Sequence, residues 1–475
     1  MKEFKSILNF VILLILSGLS AFGQSYYIVK NHAVSTRTND EECPVILNNQ
    51  LIYVSNRANT SIRKDYDAQK RNYFHFYHAF FDTTKKSWSS PKPYNPELKT
   101  NLSDGPLSID KSENFIAFSS SYYTALAGGI KNNPFVGIFF ADKQGESWGN
   151  IREFNYNSFN AQTTHPSLNL EGNVMYFSSN RAGGFGGFDI YRCRMEMGTW
   201  TAPLNMGPVI NTSGNEIYPF IHPGGRLYFS SEGHDNNTGG YDIFYTESYN
   251  GVWINPVKLP SPFNSGMKDF SYYADEKFEK GLFTSNRRGS VDIFTFESSL
   301  PAFEVSQLQK KDNFCFILFE ENTAELDTTL YAYEWDLGDG EKIRDIEARH
   351  CYKGPGKYAV NLNVIDMLTN EVLFNQATYD LNIERIEQAF IICPDTVSIN
   401  QDIQFNGQQS YFKTMKPGEY FWDFGDGIRG IGAFARHNYK VPGIYTVKLG
   451  VVEDSPNNKS PRKFSSYRVI FVKEK

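Results

Sequence analysis

The chain has little cysteine, little excess charge of either sign and one long apolar run. Five Cys in 475 residues (Cys43, Cys193, Cys315, Cys351 and Cys393) are too few for a disulfide scaffold, and the odd count leaves at least one unpaired within the chain. No two stand as Cys-x-x-Cys, so a zinc site is not expected. Lys and Arg number 47 against 53 Asp and Glu, a net charge of −6 with no basic run, which argues against nucleic acid as the main partner. A chain that is 40% hydrophobic, with 37 Gly and 21 Pro, is neither disordered nor collagen-like. What is abundant is aromatic: 39 Phe, 29 Tyr and 6 Trp. These side chains suit pleated, half-buried surfaces, so the composition leans all-β.

The apolar run is at the start. Lys2 and Lys5 precede Phe10-Val11-Ile12-Leu13-Leu14-Ile15-Leu16, and Ala21 and Gly23 follow. A charged start, a short apolar stretch and small residues predict a signal peptide over 1–23, cleaved before Gln24. No Cys follows to carry a lipid, and no later stretch approaches a membrane span. The mature chain is therefore expected to be exported, without a transmembrane segment, in the periplasm, at the outer membrane or on the cell surface.

Two sets of internal repeats organise the rest. In the first, an apolar strand runs into a Ser-Asn-Arg turn at Asn56-Arg57, Asn180-Arg181 and Asn286-Arg287, with degenerate copies ending at Ser121 and Glu232. The turns are spaced by 65, 59, 52 and 54 residues. After three of them a polar or Gly-rich tip leads into an Asp-Ile-aromatic strand at Asp189, Asp242 and Asp292, the pattern of a hairpin. A further strand carries Trp88, Trp148, Trp200 or Trp253. Units of this length with four strands and no helical pattern predict a β-propeller over 24–300. Five blades fit the five turns, with Tyr26-Tyr27-Ile28-Val29 completing the last blade; six is the alternative.

The second repeat has a period of 87, from Tyr333-Glu334-Trp335-Asp336-Leu337-Gly338-Asp339-Gly340 to Tyr420-Phe421-Trp422-Asp423-Phe424-Gly425-Asp426-Gly427. The same offset links His350 to His437, Tyr352 to Tyr439 and Tyr358 to Tyr445, each Tyr358 or Tyr445 opening an alternating strand. Two β-sandwiches are predicted, 301–384 and 385–475.

These motifs resemble polycystic-kidney-disease (PKD) domains, Ig-like modules of extracellular proteins. Pro166-Ser167-Leu168-Asn169-Leu170-Glu171-Gly172, with Tyr176–Arg181 and Gly187–Tyr191, is similar to the TolB-type propeller repeat of bacterial envelope proteins. The resemblance implies protein or glycan contact, with type IX secretion or gliding as one setting.

Candidate chemistry yields to structural readings. Gly145-Glu146-Ser147-Trp148-Gly149 matches a nucleophile elbow in letters but precedes a strand rather than a helix. Asp142–Trp148 approximates a sialidase Asp-box with one residue too many. His75 and His78 fall on opposite faces of one strand and cannot share a metal there. His350 and His437 recur at one module position and are expected to make a structural hydrogen bond. Gly183–Gly187 reads as a hairpin tip. The repeated Arg57, Arg181 and Arg287 are expected to pair with the Asp before Ile in their own or a neighbouring blade. Asp336, Asp339, Asp423 and Asp426 fit calcium ligands and Asp-Gly turns alike; no metal or cofactor is expected. Cys315 and Cys351 map by the 87-residue offset to Asp402 and Asn438, so both thiols are absent together from the second module, as a bonded pair would be.

The expected function is an exported, non-catalytic binding or scaffolding protein that docks an envelope protein through its propeller. A glycan-binding surface protein is the alternative and a propeller glycosidase the third reading. No enzyme activity is expected.

Overall fold

The computed structural model describes residues 27–47, 49–57, 72–100, 102–122, 125–126, 129–130, 135–249, 251–301, 303, 306–319, 328, 330–455 and 461–474. The expected signal peptide lies outside them. The described chain is all-β, with one 3-10 turn at Pro96–Leu98, and divides into two units, Met1–Leu300 and Pro301–Lys475. No helix among the described residues is long and apolar enough to cross a membrane.

The first unit is a five-bladed propeller. Its blades begin with the strands Glu41–Leu47, Asp104–Ile109, Thr163–Leu168, Glu216–Ile221 and Asp269–Ala274, each at one edge of an antiparallel sheet. First strands of successive blades touch, and that of blade five touches that of blade one. They therefore line the axis. Tyr27–Asn31 pairs with Asp292–Ser298 and completes the fifth blade, so the two ends of the unit close one sheet. Five core clusters fill the five seams. Between blades five and one lie Leu51, Tyr53, Tyr77, Leu282 and Ile293, all buried. Ile52, Val54, Leu107, Ile116 and Trp148 do the same between blades one and two.

The Trp strands differ from expectation. Trp88 and Trp200 sit in two-residue strands paired only to the end of the third strand, and Trp253 in a separate two-residue pair with Ser248–Tyr249, while Lys92–Pro93, Leu204–Asn205 and Val257–Lys258 supply further outer pairing to the third strand. Proline just upstream of these segments resets the chain direction. Only blade two runs its Trp strand continuously, Ser147–Glu153.

The second unit holds two sandwiches. In the first, the order is Lys342–Arg344, Tyr331–Asp336, Gly356–Asp366, Val372–Ile383, facing the pair Cys315–Leu318 and Ala348–Cys351. In the second, Arg429–Ile431, Pro417–Asp423, Gly443–Glu453 and Lys463–Lys473 face Ile403–Asn406 and Phe434–His437. The stretch expected to open the first sandwich lies instead on the second. Gln307–Leu308 runs parallel to Ser466–Tyr467, the Phe303 ring lies 6.3 Å from that of Phe421, and Gln309 exchanges hydrogen bonds with the backbone of Ile391. Gly450 makes room for this strap: a Cβ there would stand 2.0 Å from the Phe303 ring.

Candidate functional site: the axial funnel

Each inner strand starts on a polar residue paired across the sheet with a Ser: Glu41 with Ser55, Asp104 with Ser120, Thr163 with Ser179, Glu216 with Ser231 and Asp269 with Ser285. All five are fully or almost fully buried. A buried carboxylate requires charge-assisted partners. Here the loop before the strand supplies them. Thr36, Thr100, Thr212 and Ser265 each donate a backbone N–H to the acid that follows, at 2.9, 3.0, 2.8 and 2.6 Å.

The repeated Arg completes the arrangement, with a partner other than the one expected. Arg57 pairs with Glu41 at 2.8 Å and Arg287 with Asp269 at 2.6 Å, while Arg181 donates to Thr163 Oγ1 and the Tyr156 carbonyl, each at 3.2 Å. Every guanidinium also lies over aromatic rings of its own blade, Arg57 over Tyr53 and Tyr77, Arg181 over Phe177 and Tyr191, Arg287 over Phe283 and Phe294. A planar cation that stacks while donating in its plane fits this slot, and an ammonium does not. The Asp before Ile holds the hairpin tip. Asp189 accepts from Phe185 N and Asn205, Asp242 from Thr238 N and Lys258, and Asp292 from Ser290. Asn56, Asn180 and Asn286 accept the backbone N–H of Asp40, Gln162 and Lys268, each one residue ahead of the inner strand. The Asn-Arg turn is thus a clip that anchors an inner strand within its own blade.

Just past the clip every inner strand shifts register, one bulge per blade. Cys43, His165, Tyr218 and Ser271 occupy the bulges with φ of 55°, 55°, 51° and 53°, and blade two has Gly105 at 103°. A bulge re-aims a side chain. At Gly105 no side chain fits, since a Cβ would meet Val54 at 2.4 Å. Three bulges bond to the preceding blade: His165 N donates to Ser119, Ser271 N to Ser230 and Cys43 N to Thr284. This gives the paired hydroxyls of the repeat separate roles, the first reaching the next blade and the second its own blade's inner strand.

The four bulge side chains gather at the base of a funnel of 340 Å³ lined by the inner strands of all five blades. Tyr218 stacks between His165, ring centres 3.9 Å apart, and Phe270, 5.1 Å away. Burial pushes the Cys43 thiol and the Tyr218 phenol well up and the His165 imidazole down to about 3, so the floor is uncharged at neutral pH. A protonated, buried thiol is a poor nucleophile. Beside it, burial and then the charge of Asp40 hold the Glu42 carboxyl up to about 7. The walls are largely apolar, including Val45, Leu107, Leu168 and Phe220, and the lining charges are Asp110, Glu113, Asp275 and Glu276 against Lys111. Such a funnel can seat an extended or apolar group and favours positive charge at its mouth.

His75 pairs with Asp104 at 3.0 Å, while His78 contacts Gln50 and lies 5.5 Å from the Tyr94 ring. Asp142 pairs with Arg152, and Ser147 opens a strand after a two-residue turn. Among the described residues no group of three or more His, Cys, Asp or Glu could hold a metal ion. Cys43, Cys193 and Cys393 are buried and unbonded.

In the sandwiches the 87-residue offset holds contact by contact. His350 Nε2 meets Asp339, and His437 Nε2 meets Asp426, both at 2.8 Å. Asp336 and Asp423 each accept the N–H two residues on, from Gly338 and Gly425. Those glycines have φ of 75° and 83°, and a Cβ would strike the carbonyl of Ala359 or Thr446. Trp335 and Trp422 are buried, each donating its indole N–H to a backbone carbonyl, of Ile346 and Gly432. Tyr352 and Tyr439 donate to Leu337 and Phe424. Cys315 and Cys351 are bonded to each other, and at the equivalent place Asn438 donates to Asp402 at 2.9 Å.

The PKD domain family matches residues 301–371 and 388–468, so the C-terminal unit carries PKD domains. The chain is similar to Collagenase ColA of Clostridium perfringens (strain 13 / Type A), 29% identical over 106 residues, covering 22% of this chain and 9% of that protein. It is also similar to human Polycystin-1, 25% identical over 127 residues, covering 25% of this chain and 3% of the other. The chain thus spans under a tenth of the length of these relatives. Among solved structures it is similar to a puromycin-hydrolyzing peptidase of Mycobacterium tuberculosis, with 10% identity, 79% of this chain and 60% of that one covered, and a TM-score of 0.31. Prolyl peptidases, glycoside hydrolases and an oligogalacturonate lyase also appear among the neighbours. The expectation of no enzyme activity is corrected by these neighbours, which are enzymes. At such identities and TM-scores the likeness transfers no reaction or substrate to this chain.

Proposed function

We propose that the protein is an exported binding and scaffolding protein of a bacterial cell envelope, in which a TolB-like propeller docks a protein partner and the PKD domains extend the contact. The observation that carries the reading is the funnel. Segments from five blades converge on one apolar-walled, acid-rimmed recess with an uncharged floor. A partner segment with apolar side chains and a positive charge would match wall and rim together. The PKD domains support an extracellular binding role, because this module is an adhesive or ligand-contacting one.

The test is mild crosslinking of the tagged full chain in its own cell envelope, followed by affinity purification and mass spectrometry. A stoichiometric outer-membrane or secretion component supports the reading. Recovery of the protein alone, or with polysaccharide, overturns it in favour of glycan binding.

A further inference from the structure

The first sandwich ends in an apolar knob that its fold does not require. The turn joining Gly356–Asp366 to Val372–Ile383 is held by polar groups: Asp366 Oδ1 accepts the N–H of Leu368 at 2.8 Å and of Thr369 at 3.0 Å, and Asn370 N donates to the Asp366 carbonyl. No apolar contact is needed to close it. Yet Met367 and Leu368 stand at its tip, Leu368 being 81% exposed, and Met367 N bonds to the carbonyl of Leu330, which is also exposed. The next strand adds two more. Asn375, at φ 54°, forms a bulge whose N–H is taken by Asn363 Oδ1 at 2.9 Å, and the neighbouring Leu373 and Phe374 are both exposed, Phe374 at 65%. A regular strand sends adjacent side chains to opposite faces.

The second sandwich is the internal control. At the 87-residue offset Leu330, Met367 and Leu368 are replaced by Pro417, Asp454 and Ser455, while by strand register the place of Leu373, opposite Val364, is taken by Phe464, opposite Val451. Leu330, Met367 and Leu368 thus have no large apolar counterpart in the second sandwich. Five large exposed apolar side chains at one end of a module mark an interaction surface. Its charge is one-sided: from Tyr358 to Tyr379 the charged residues are Asp366 and Glu371.

We propose that this hairpin end is a docking knob that inserts into a groove of a partner protein, apolar at its base and lined at its rim by Lys or Arg. The knob is convex, so it fills a groove rather than holding a small ligand. Its carboxylates oppose an anionic lipid surface. The funnel of a second copy is excluded as the groove by its own acidic rim. This surface is additional to the funnel and does not rest on it.

The experiment places a photo-crosslinking residue at Leu368 in the full chain in its own cells, with Ser455 as the matched control. The expected result is one protein adduct from position 368, none from 455, with the crosslinked partner peptide next to Lys or Arg. The adduct is expected to be lost in Phe374→Asp and in Glu371→Lys. Both side chains are exposed, so both variants should keep the parent's thermal unfolding, which is measured alongside. No protein adduct, an adduct to lipid or to a second copy, equal crosslinking from 455, or an adduct that survives Glu371→Lys would overturn the proposal.

Discussion

Arg287 and Arg181 occupy equivalent turns but face different first-strand residues, which makes their substitution by Met unequal. Asp269 is fully buried and accepts Ser265 N at 2.6 Å, Ser265 Oγ at 2.7 Å and Arg287 at 2.6 Å. Arg287→Met keeps most of the packing over Phe283 and Phe294 and removes the only positive charge on that carboxylate among the described ion pairs. An uncompensated buried charge costs about 3–5 kcal/mol. Arg181 faces a Thr hydroxyl and a carbonyl, so Arg181→Met forfeits neutral hydrogen bonds and a cation–π contact, about 1–2 kcal/mol. The double variant Arg287→Met/Asp269→Thr removes charge and counter-charge together and should recover about 2 kcal/mol of the single-variant loss. The assay is urea unfolding of the full chain followed by tryptophan fluorescence, reading the propeller transition. Equal losses at the two arginines, or no recovery in the double variant, would refute the assignment of Arg to the first-strand acid.

Three further outcomes are expected. Burial holds the Glu42 proton more tightly in the folded chain than in the unfolded one, from 4.5 to about 7, so its stabilising contribution is complete below pH 4.5 and is lost as pH rises through 7. Glu42→Gln should therefore match the parent at pH 4 and exceed it by roughly 3 kcal/mol at pH 8 in denaturant midpoints, and a gain at pH 4 would contradict this. The Cys315–Cys351 bond closes a 36-residue separation, worth roughly 3–4 kcal/mol in the chain-entropy account, so reduction should lower the first sandwich's melting temperature. Asn438→Ala at the equivalent place should cost only about 1 kcal/mol. Gly450→Val should displace Phe303, making 301–312 the preferred site of limited proteolysis; an unchanged digest would show that the strap is not seated there.

The architecture was largely legible because it repeats. Ser-Asn-Arg turns marked the blades, and an unbroken 87-residue offset marked the sandwiches down to the His and Tyr that hold their corners. The inner-strand acids were harder to see. Glu41, Asp104, Glu216 and Asp269 share a role, but Thr163 fills the same place, and the donor stands five residues ahead of Glu41 and four ahead of the others. The funnel floor was hidden for a stronger reason: Cys43, His165, Tyr218 and Ser271 have no chemistry in common and are related only by a backbone bulge. The strap was hidden too, since two residues pairing with a strand some 160 positions away leave no local pattern.

The most direct test of the binding reading is whether funnel and partner depend on each other. The full chain and a variant carrying Leu170→Arg with Glu276→Arg, which narrows the funnel and reverses rim charge, are each crosslinked and purified from their own envelope. Loss of the stoichiometric protein partner from the variant, with unfolding unchanged, is the predicted result. The same partner recovered in the same yield from both would contradict it.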